Sequence, residues 1–99
     1  MKLEIRGPAR QDMLRAQQWY EAVAPHVVDR FTLALEHAIR AAAREPLLYE
    51  TVYRDVRCSR LRHFPHGVYF RVVNDVVVII ACIHGRRGHP FWQNRRRTA

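Results

Sequence analysis

The stretch from Val76 to Ile83, VVVIIACI, is apolar at every position, and this constrains the fold more than any other feature of the chain. Successive residues of a strand point to opposite faces, so a strand with this sequence is covered on both faces and belongs inside a sheet. The sequence offers one pair of helices, which can cover one face. The other face needs a second cover, for which the C-terminal segment, a second copy and a partner chain all stay open.

The net positive charge of the chain lies in its second half. Residues 1–53 carry seven basic and seven acidic side chains, whereas ten arginines after Tyr53 face only Asp55 and Asp75. The whole net charge of +8 therefore falls after Tyr53. This asymmetry favours an anionic partner for the second half, although a basic surface that is merely solvated has the same composition.

Length and composition predict one domain. The chain has 99 residues, 48% of them hydrophobic, which suffices for a single domain over residues 1–99 with a basic tail from about residue 88. Its longest apolar run is too short to span a bilayer and its N-terminus has no apolar signal region, so we expect a cytoplasmic protein. Cys58 and Cys82 lack the close spacing of a disulfide framework or a zinc motif. We expect them to be small apolar fillers, and we expect no metal or other cofactor.

Proline residues divide the first half of the chain into a strand and two helices. Leu3 and Ile5 alternate with charged residues, as in a short strand with one buried face. A first helix is predicted from Pro8 to before Pro25, and a second from about Pro25 to Pro46. Both carry an apolar stripe that we expect to pack on Leu3, Ile5 and one phase of the last strand. The residues predicted to be buried under these helices are Met13, Tyr20, Phe31, Leu35 and Ile39.

Three strands are predicted in the second half, near residues 55–63, 67–73 and 76–84. Turn signals at 65–67 and at Asn74-Asp75 separate them. The apolar phase changes within the first of these strands, which predicts a β-bulge near Ser59 or Arg60. The expected fold is therefore α+β, in the order β-α-α-β-β-β, with a helix hairpin packed on one face of a small, mostly antiparallel sheet.

Four segments follow this order of elements: WYEAVAPHVVDRF, EPLLYE, RHFPHGVYFRV and ACIHGRRGHPFWQNR. The most specific positions in them are Phe64, Pro65, Tyr69, Arg71, His84 and Arg86. Together they resemble the RelE/ParE superfamily of type II toxin–antitoxin toxins over roughly Leu3 to Arg95. The resemblance implies a small toxin that arrests growth. It also implies a cognate antitoxin, ParD-like, acidic and partly disordered, that wraps and neutralises the toxin in a hetero-oligomer.

This superfamily holds two activities, and the first is cleavage of ribosome-bound messenger RNA by RelE-like members. Attack of a ribose 2′-hydroxyl on the adjacent phosphate needs a base, an acid and cations that stabilise the charge on phosphorus. The candidate cations here are Arg60, Arg62, Arg71 and Arg86. The candidate proton carriers are His84, His63, His66 and Glu50. The catalytic set of a nuclease would be His84, Arg86, Arg71 and Arg62.

Two positions depart from the RelE nuclease pattern. The resemblance places a catalytic arginine on the strand after the turn, where this chain has Gly67. It also places a tyrosine near the C-terminus, where this chain has Trp92, and an indole cannot replace a phenol as a proton carrier. Other nuclease branches use a histidine near the end of the last strand, so His84 keeps the nuclease alternative open, although a histidine there also serves as a structural hydrogen-bonding group.

The second activity is that of ParE-like toxins, which bind DNA gyrase and trap cleaved DNA without a catalytic constellation. The order of His84 and Arg86 resembles this branch, and we favour it. The residues expected to bind the target are Arg60, Arg62, Arg71, His84, Arg86, Arg87 and Trp92. In the tail, Trp92 is expected to fold back onto the open sheet face while Arg95, Arg96 and Arg97 stay solvated. The alternative is a basic arm that stacks its aromatic residues on bases.

Overall fold

The structure, a computed structural model, describes residues 1–85 and 95–96. Its elements are β1 (Lys2–Ile5), α1 (Gly7–Val23), α2 (Val28–Arg44), β2 (Thr51–Tyr53), β3 (Val56–Arg60), β4 (His66–Val73) and β5 (Val76–His84). Short 3₁₀ turns at Pro25–Val27 and Pro46–Leu48 flank α2. No helix in these described residues is long and apolar enough to cross a membrane.

The five strands form one sheet in the order β1-β5-β4-β3-β2. Strand β1 runs parallel to β5, and every other neighbouring pair is antiparallel. The β4–β5 hairpin turns at Asn74 and Asp75, whose φ angles of 49° and 64° belong to a type I′ turn. The predicted α+β architecture, the mostly antiparallel sheet and the internal position of β5 are confirmed.

The two helices cover one face of the sheet, as the apolar stripes predict. Helix α2 buries four residues at helical spacing: Phe31, Leu35, Ala38 and Ala42. Helix α1 contributes Ala9 and Met13, while Tyr20 and Ile39 pack at the margin of the same core. The prediction for Leu3 was wrong, because its side chain is 42% exposed on the edge strand β1 and Ile5 alone packs against the core.

The region between α2 and β4 differs from the prediction. The expected strand at 55–63 ends at Arg60, and the chain then turns so that the Leu61 amide donates to the His66 carbonyl at 3.0 Å. The apolar phase changes at Leu61 because the strand has ended there, so the predicted bulge near Ser59 or Arg60 was wrong. Strand β2 was not predicted, since three exposed or half-buried residues are too few to show a period.

A β-bulge lies instead between β4 and β5, and the short β2–β3 pairing also has a register shift between Thr51 and Tyr53. Tyr69 pairs with Ala81 and Phe70 with Ile79, which leaves Ile80 as an extra residue in β5. A bulge of this kind moves the side chains beyond it to the opposite faces of the strand. It therefore places Cys82 in the helix-covered core and Ile83 in the cluster on the other face.

The second face, the side of the sheet away from the helices, carries its own buried cluster. Its members are Val56, Tyr69, Val78, Ile80, Ala81 and Ile83, none more than 6% exposed. Arg71 Nη1 on this face donates to the Arg96 carbonyl at 3.3 Å, so the C-terminal segment is part of the cover. Of the three covers that stayed open, a second copy is not required for these side chains to be buried.

Candidate functional site

Two histidines meet at the end of the β4–β5 hairpin. His66 opens β4 and pairs in register with His84, the last residue of β5, with their ring centroids 5.9 Å apart. This pairing depends on the bulge at Ile80, because an unbroken register would set Ile83 opposite His66. The hairpin thus brings together two of the proton carriers predicted from sequence.

His66 is held in an aromatic environment. Its ring lies 5.2 Å from that of Phe31 and 5.9 Å from that of Tyr20, measured between centroids. Burial lowers the pKa of His66, and the neighbouring His84 lowers that pKa further. Its Nδ1 is buried and has no hydrogen-bond partner among the described residues. His66 is therefore a neutral imidazole at pH 7 with one unsatisfied ring nitrogen.

A cleft opens between these histidines and α1. Asp12 and Arg15 line it from the helix, and Cys82 lines it from β5 beside His66 and His84. Its volume is about 210 Å³, and Arg15 and His84 are exposed at the surface. Burial raises the pKa of the Cys82 thiol to about 12, so Cys82 supplies no nucleophile at neutral pH.

An ion pair closes the edge of β5 beside this cleft. Arg95 Nη1 and Nη2 lie 2.9 Å and 3.1 Å from the two carboxylate oxygens of Asp12. Arg95 Nη1 also donates to the Ile80 carbonyl at 2.8 Å, and the Cys82 amide donates to Asp12 at 3.1 Å. Strand β1 pairs with β5 only as far as Ile79, so the two side chains satisfy backbone groups beyond the end of β1. The prediction that Arg95 stays solvated was wrong.

A second ion-pair network is centred on Asp55, in the turn between β2 and β3. Asp55 accepts from Arg71 Nε at 3.0 Å and from Arg96 Nε at 2.6 Å. Burial alone would raise the pKa of Asp55, but the hydrogen bonds from both arginines outweigh it and lower that pKa. Arg96 was also expected to be solvated. That expectation was wrong for the same reason, because its guanidinium donates to the carboxylate of Asp55, which is far away in sequence.

The site residues predicted from sequence do not form one constellation. Arg71 lies five residues along β4 from His66, roughly 16 Å at 3.3 Å per residue, and it is held by Asp55. Glu50 is exposed before β2. Arg86, Arg87 and Trp92 lie outside the described residues, so the predictions for them remain predictions.

Gly67 occupies a position that has no room for a side chain. A Cβ there would lie 2.7 Å from Cys58 Sγ and 3.1 Å from the Tyr69 ring, both on the second face. Burial raises the pKa of the Cys58 thiol, which is consistent with its role as a packing group.

Arg60 is exposed at the end of β3, with Nη1 3.3 Å from where a Cβ on Gly85 would stand.

A groove of about 460 Å³ runs between α2 and the loop before β4. Its lining combines apolar residues with side chains that are basic or imidazole: Val27, Arg30, Leu33, Ala34, His37, Arg62, His63 and Phe64. Leu33 is 64% exposed there, whereas the other large apolar residues of α2 are buried or half-buried. Arg62 and His63 thus belong to this groove, and sequence reasoning did not foresee their association with α2.

No metal site is visible in residues 1–85 and 95–96. No three histidine, cysteine, aspartate or glutamate side chains of these residues lie close enough together to hold an ion. Zinc in proteins takes at least three such ligands.

A helix hairpin that covers one face of a five-stranded, mostly antiparallel sheet defines the α+β class of fold to which this domain belongs. The family model for the "ParE toxin of type II toxin-antitoxin system, parDE" matches residues 3–88. The chain therefore belongs to the ParE toxin family, and the resemblance noted in the sequence is confirmed.

Individual relatives agree with this assignment. The proteins named Toxin ParE2 in Mycobacterium tuberculosis strains CDC 1551 / Oshkosh and H37Rv are 24% identical over 85 residues, which is 85% of this chain and 81% of each relative. A solved structure titled "Chromosomal ParDE TA system from P. aeruginosa" matches with a TM-score of 0.75 and 16% identity, over 85% of this chain and 95% of that one. At that identity the structural match concerns the fold alone.

Proposed function

We propose that this ParE-family toxin arrests growth by binding DNA gyrase in the cytoplasm and trapping cleaved DNA, and that a cognate acidic antitoxin neutralises it. The observation that carries the first part is the packing around Gly67. Cys58 and Tyr69 fill the space in which the RelE nuclease pattern needs a catalytic arginine. Cleavage by a 2′-hydroxyl requires cations close to the proton carriers.

The placement of the other candidates supports the same conclusion. Arg71 is far along the strand from His84 and its guanidinium is held by Asp55, so it is poorly placed to stabilise a phosphorane beside that histidine. A toxin that acts by binding needs a surface of suitable shape and charge but no such constellation. The excess of arginines in the second half provides the charge for a target that holds DNA.

A supercoiling assay with purified gyrase tests this function. We expect the toxin to abolish supercoiling and to leave linear DNA after the reaction is stopped with detergent and protease. Normal supercoiling, together with new cuts in ribosome-bound messenger RNA, would instead make this toxin a RelE-like endoribonuclease. Both assays use the same protein preparation, so loss of fold cannot be confused with a change of target.

The antitoxin surface that we propose is the groove between α2 and the loop before β4. Leu33, Ala34 and Phe64 present apolar area, while Arg30 and Arg62 add positive charge. An amphipathic helix that carries acidic residues beside its apolar face matches both properties. A segment that orders only on binding gains this apolar burial and the ion pairs in one step.

The product of the adjacent upstream reading frame is the partner to test, and a ribbon-helix-helix pattern in it would fit a ParD-like antitoxin. We expect Leu33→Asp to weaken its binding by about tenfold or more, since a buried charge would face the apolar side of the partner helix. Leu14→Asp is the matched control, because Leu14 is an exposed helical leucine that does not line the groove. Equal effects of the two variants, or binding indifferent to salt, would contradict the proposed surface.

A further inference from the structure

We propose that the cleft between α1 and the end of the β4–β5 hairpin binds a phosphate group, with Arg15, His66 and His84 as its recognition groups. This site lies apart from the α2 groove and goes beyond the proposed action on gyrase. It assigns to the toxin itself a direct contact with a phosphate, whether free or in a nucleic-acid backbone.

The charge of the cleft suits an anion although Asp12 lines it. Both oxygens of Asp12 are engaged by Arg95, and one of them also accepts from the Cys82 amide. A carboxylate paired bidentately in this way presents little free negative charge. Arg15 then supplies the uncompensated charge of the cleft, because no ion pair is formed by its side chain among the described residues.

His66 and His84 supply the other polar groups of the cleft. His66 lines the cleft with a half-buried ring, and its Nδ1 is inaccessible and forms no hydrogen bond with the described residues, so a ligand would contact the part of the ring that reaches the cleft. Its ring is fixed by Phe31 and Tyr20, so it is preorganised. His84 lies at the exposed mouth of the cleft and offers a second imidazole 5.9 Å away.

Size and chemistry select the phosphate class. A volume of about 210 Å³ is below the range of about 300–1,000 Å³ typical of drug-sized organic ligands, but it holds a single tetrahedral anion. A guanidinium matches phosphate with a fork of two N–H donors, and an imidazole N–H adds a single hydrogen bond. The cleft lacks the third close ligand that a metal would need, among the residues described.

The test follows the histidine ring signals of the full-length toxin by NMR during titration with inorganic phosphate, with chloride at equal ionic strength as the reference. We expect saturable shifts of His66 and His84 with phosphate only. Arg15→Gln should weaken the binding about tenfold or more, as expected for loss of one charge-assisted hydrogen bond. Arg10→Gln makes the same charge change on the same helix outside the cleft, and should leave the binding unchanged.

A parallel arm with a short single-stranded DNA distinguishes the source of the phosphate. Shifts of the same two rings by DNA, abolished by Arg15→Gln, would support a backbone phosphate as ligand, whereas a response to inorganic phosphate alone would support a free or terminal phosphate. Shifts that do not saturate, or equal weakening by Arg10→Gln and Arg15→Gln, would overturn the site. Either result leaves the gyrase assay unaffected, so the two proposals can fail separately.

Discussion

The two faces of the sheet are stabilised in different ways. The helix-covered face is closed by apolar side chains from contiguous stretches of sequence, with Phe31 and Leu35 at its centre. The second face is also apolar, but the chain that reaches it is attached by ion pairs of Arg95 and Arg96 with two distant carboxylates. The first face should therefore respond to lost volume, and the second to lost charge.

The largest effect is expected for Phe31→Ala on the helix-covered face. Phe31 is fully buried and contacts Tyr20, Phe64 and His66 at centroid distances of 4.9 to 5.2 Å. We expect the free energy of unfolding to fall by about 4 kcal/mol because a large cavity remains. Chemical denaturation measures this, with Leu33→Ala on the exposed side of the same helix as control. An unchanged Phe31→Ala variant would show that the packing is misassigned.

A somewhat smaller effect is expected for Asp12→Asn, which acts on the attachment of the C-terminal segment. The Asp12 side chain is 4% exposed, so its loss of charge leaves Arg95 largely buried without a counter-ion. We expect a destabilisation of about 3 kcal/mol. The double variant Asp12→Leu with Arg95→Met should recover part of this loss, because it removes both charges together. If the loss in the double variant equals the sum of the losses measured for Asp12→Leu alone and Arg95→Met alone, a direct pairing is contradicted.

A pH effect should appear on the helix-covered face through His66. Its pKa in the folded protein is below the value of 6.5 that applies to an unfolded chain, so the unfolded state binds more protons in that window. The free energy of unfolding should therefore fall as the pH is lowered through about 6.5 towards the folded pKa. His66→Phe should flatten this dependence, while substitution of the exposed His37 should preserve it. Denaturation curves between pH 5 and 8 measure both.

The smallest effect is expected for Asp55→Asn on the second face. The Asp55 side chain is 45% exposed, so solvent screens its pairs with Arg71 and Arg96 and the loss should be about 1 kcal/mol or less. Because the folded pKa of Asp55 is lowered, its contribution is present above about pH 4 and disappears as the pH falls further. Asp75→Asn, in an exposed turn, is the control. A loss that persists undiminished in high salt would argue against ion pairing.

The same contrast explains what could be predicted from the sequence. The central strand, the Asn74-Asp75 turn and the helical stripes are local patterns, and the structure confirms them. The pair of Arg95 with Asp12 joins residues 83 positions apart, and no periodicity links them. The bulge at Ile80 was missed because β5 is apolar in both phases, so a shift of one residue leaves its pattern unchanged.

The candidate site shows the same difference between local patterns, which the sequence reveals, and contacts between distant residues, which it does not. His84 was identified from its place at the strand end, but its pairing with His66 depends on the bulge and was not foreseen. The sequence does not show that the space beside Gly67 is filled. It is filled by Cys58 and Tyr69, which lie on the same face of the sheet. The residue types of a site can thus be read locally, whereas their assembly depends on the register of the sheet.

The most direct test of the central claim is the amount of cleaved DNA that gyrase retains with three forms of the toxin: the parent, His84→Gln, and the double variant of Arg86 and Arg87 to alanine. A toxin that acts by binding should trap cleaved DNA almost unchanged after His84→Gln. It should lose this activity in the double variant, since charged contacts at an interface are each typically worth more than about 1 kcal/mol when they are hot spots. A folded double variant that traps DNA as well as the parent, or a His84→Gln variant that loses cleavage of messenger RNA about a hundredfold, would contradict the account.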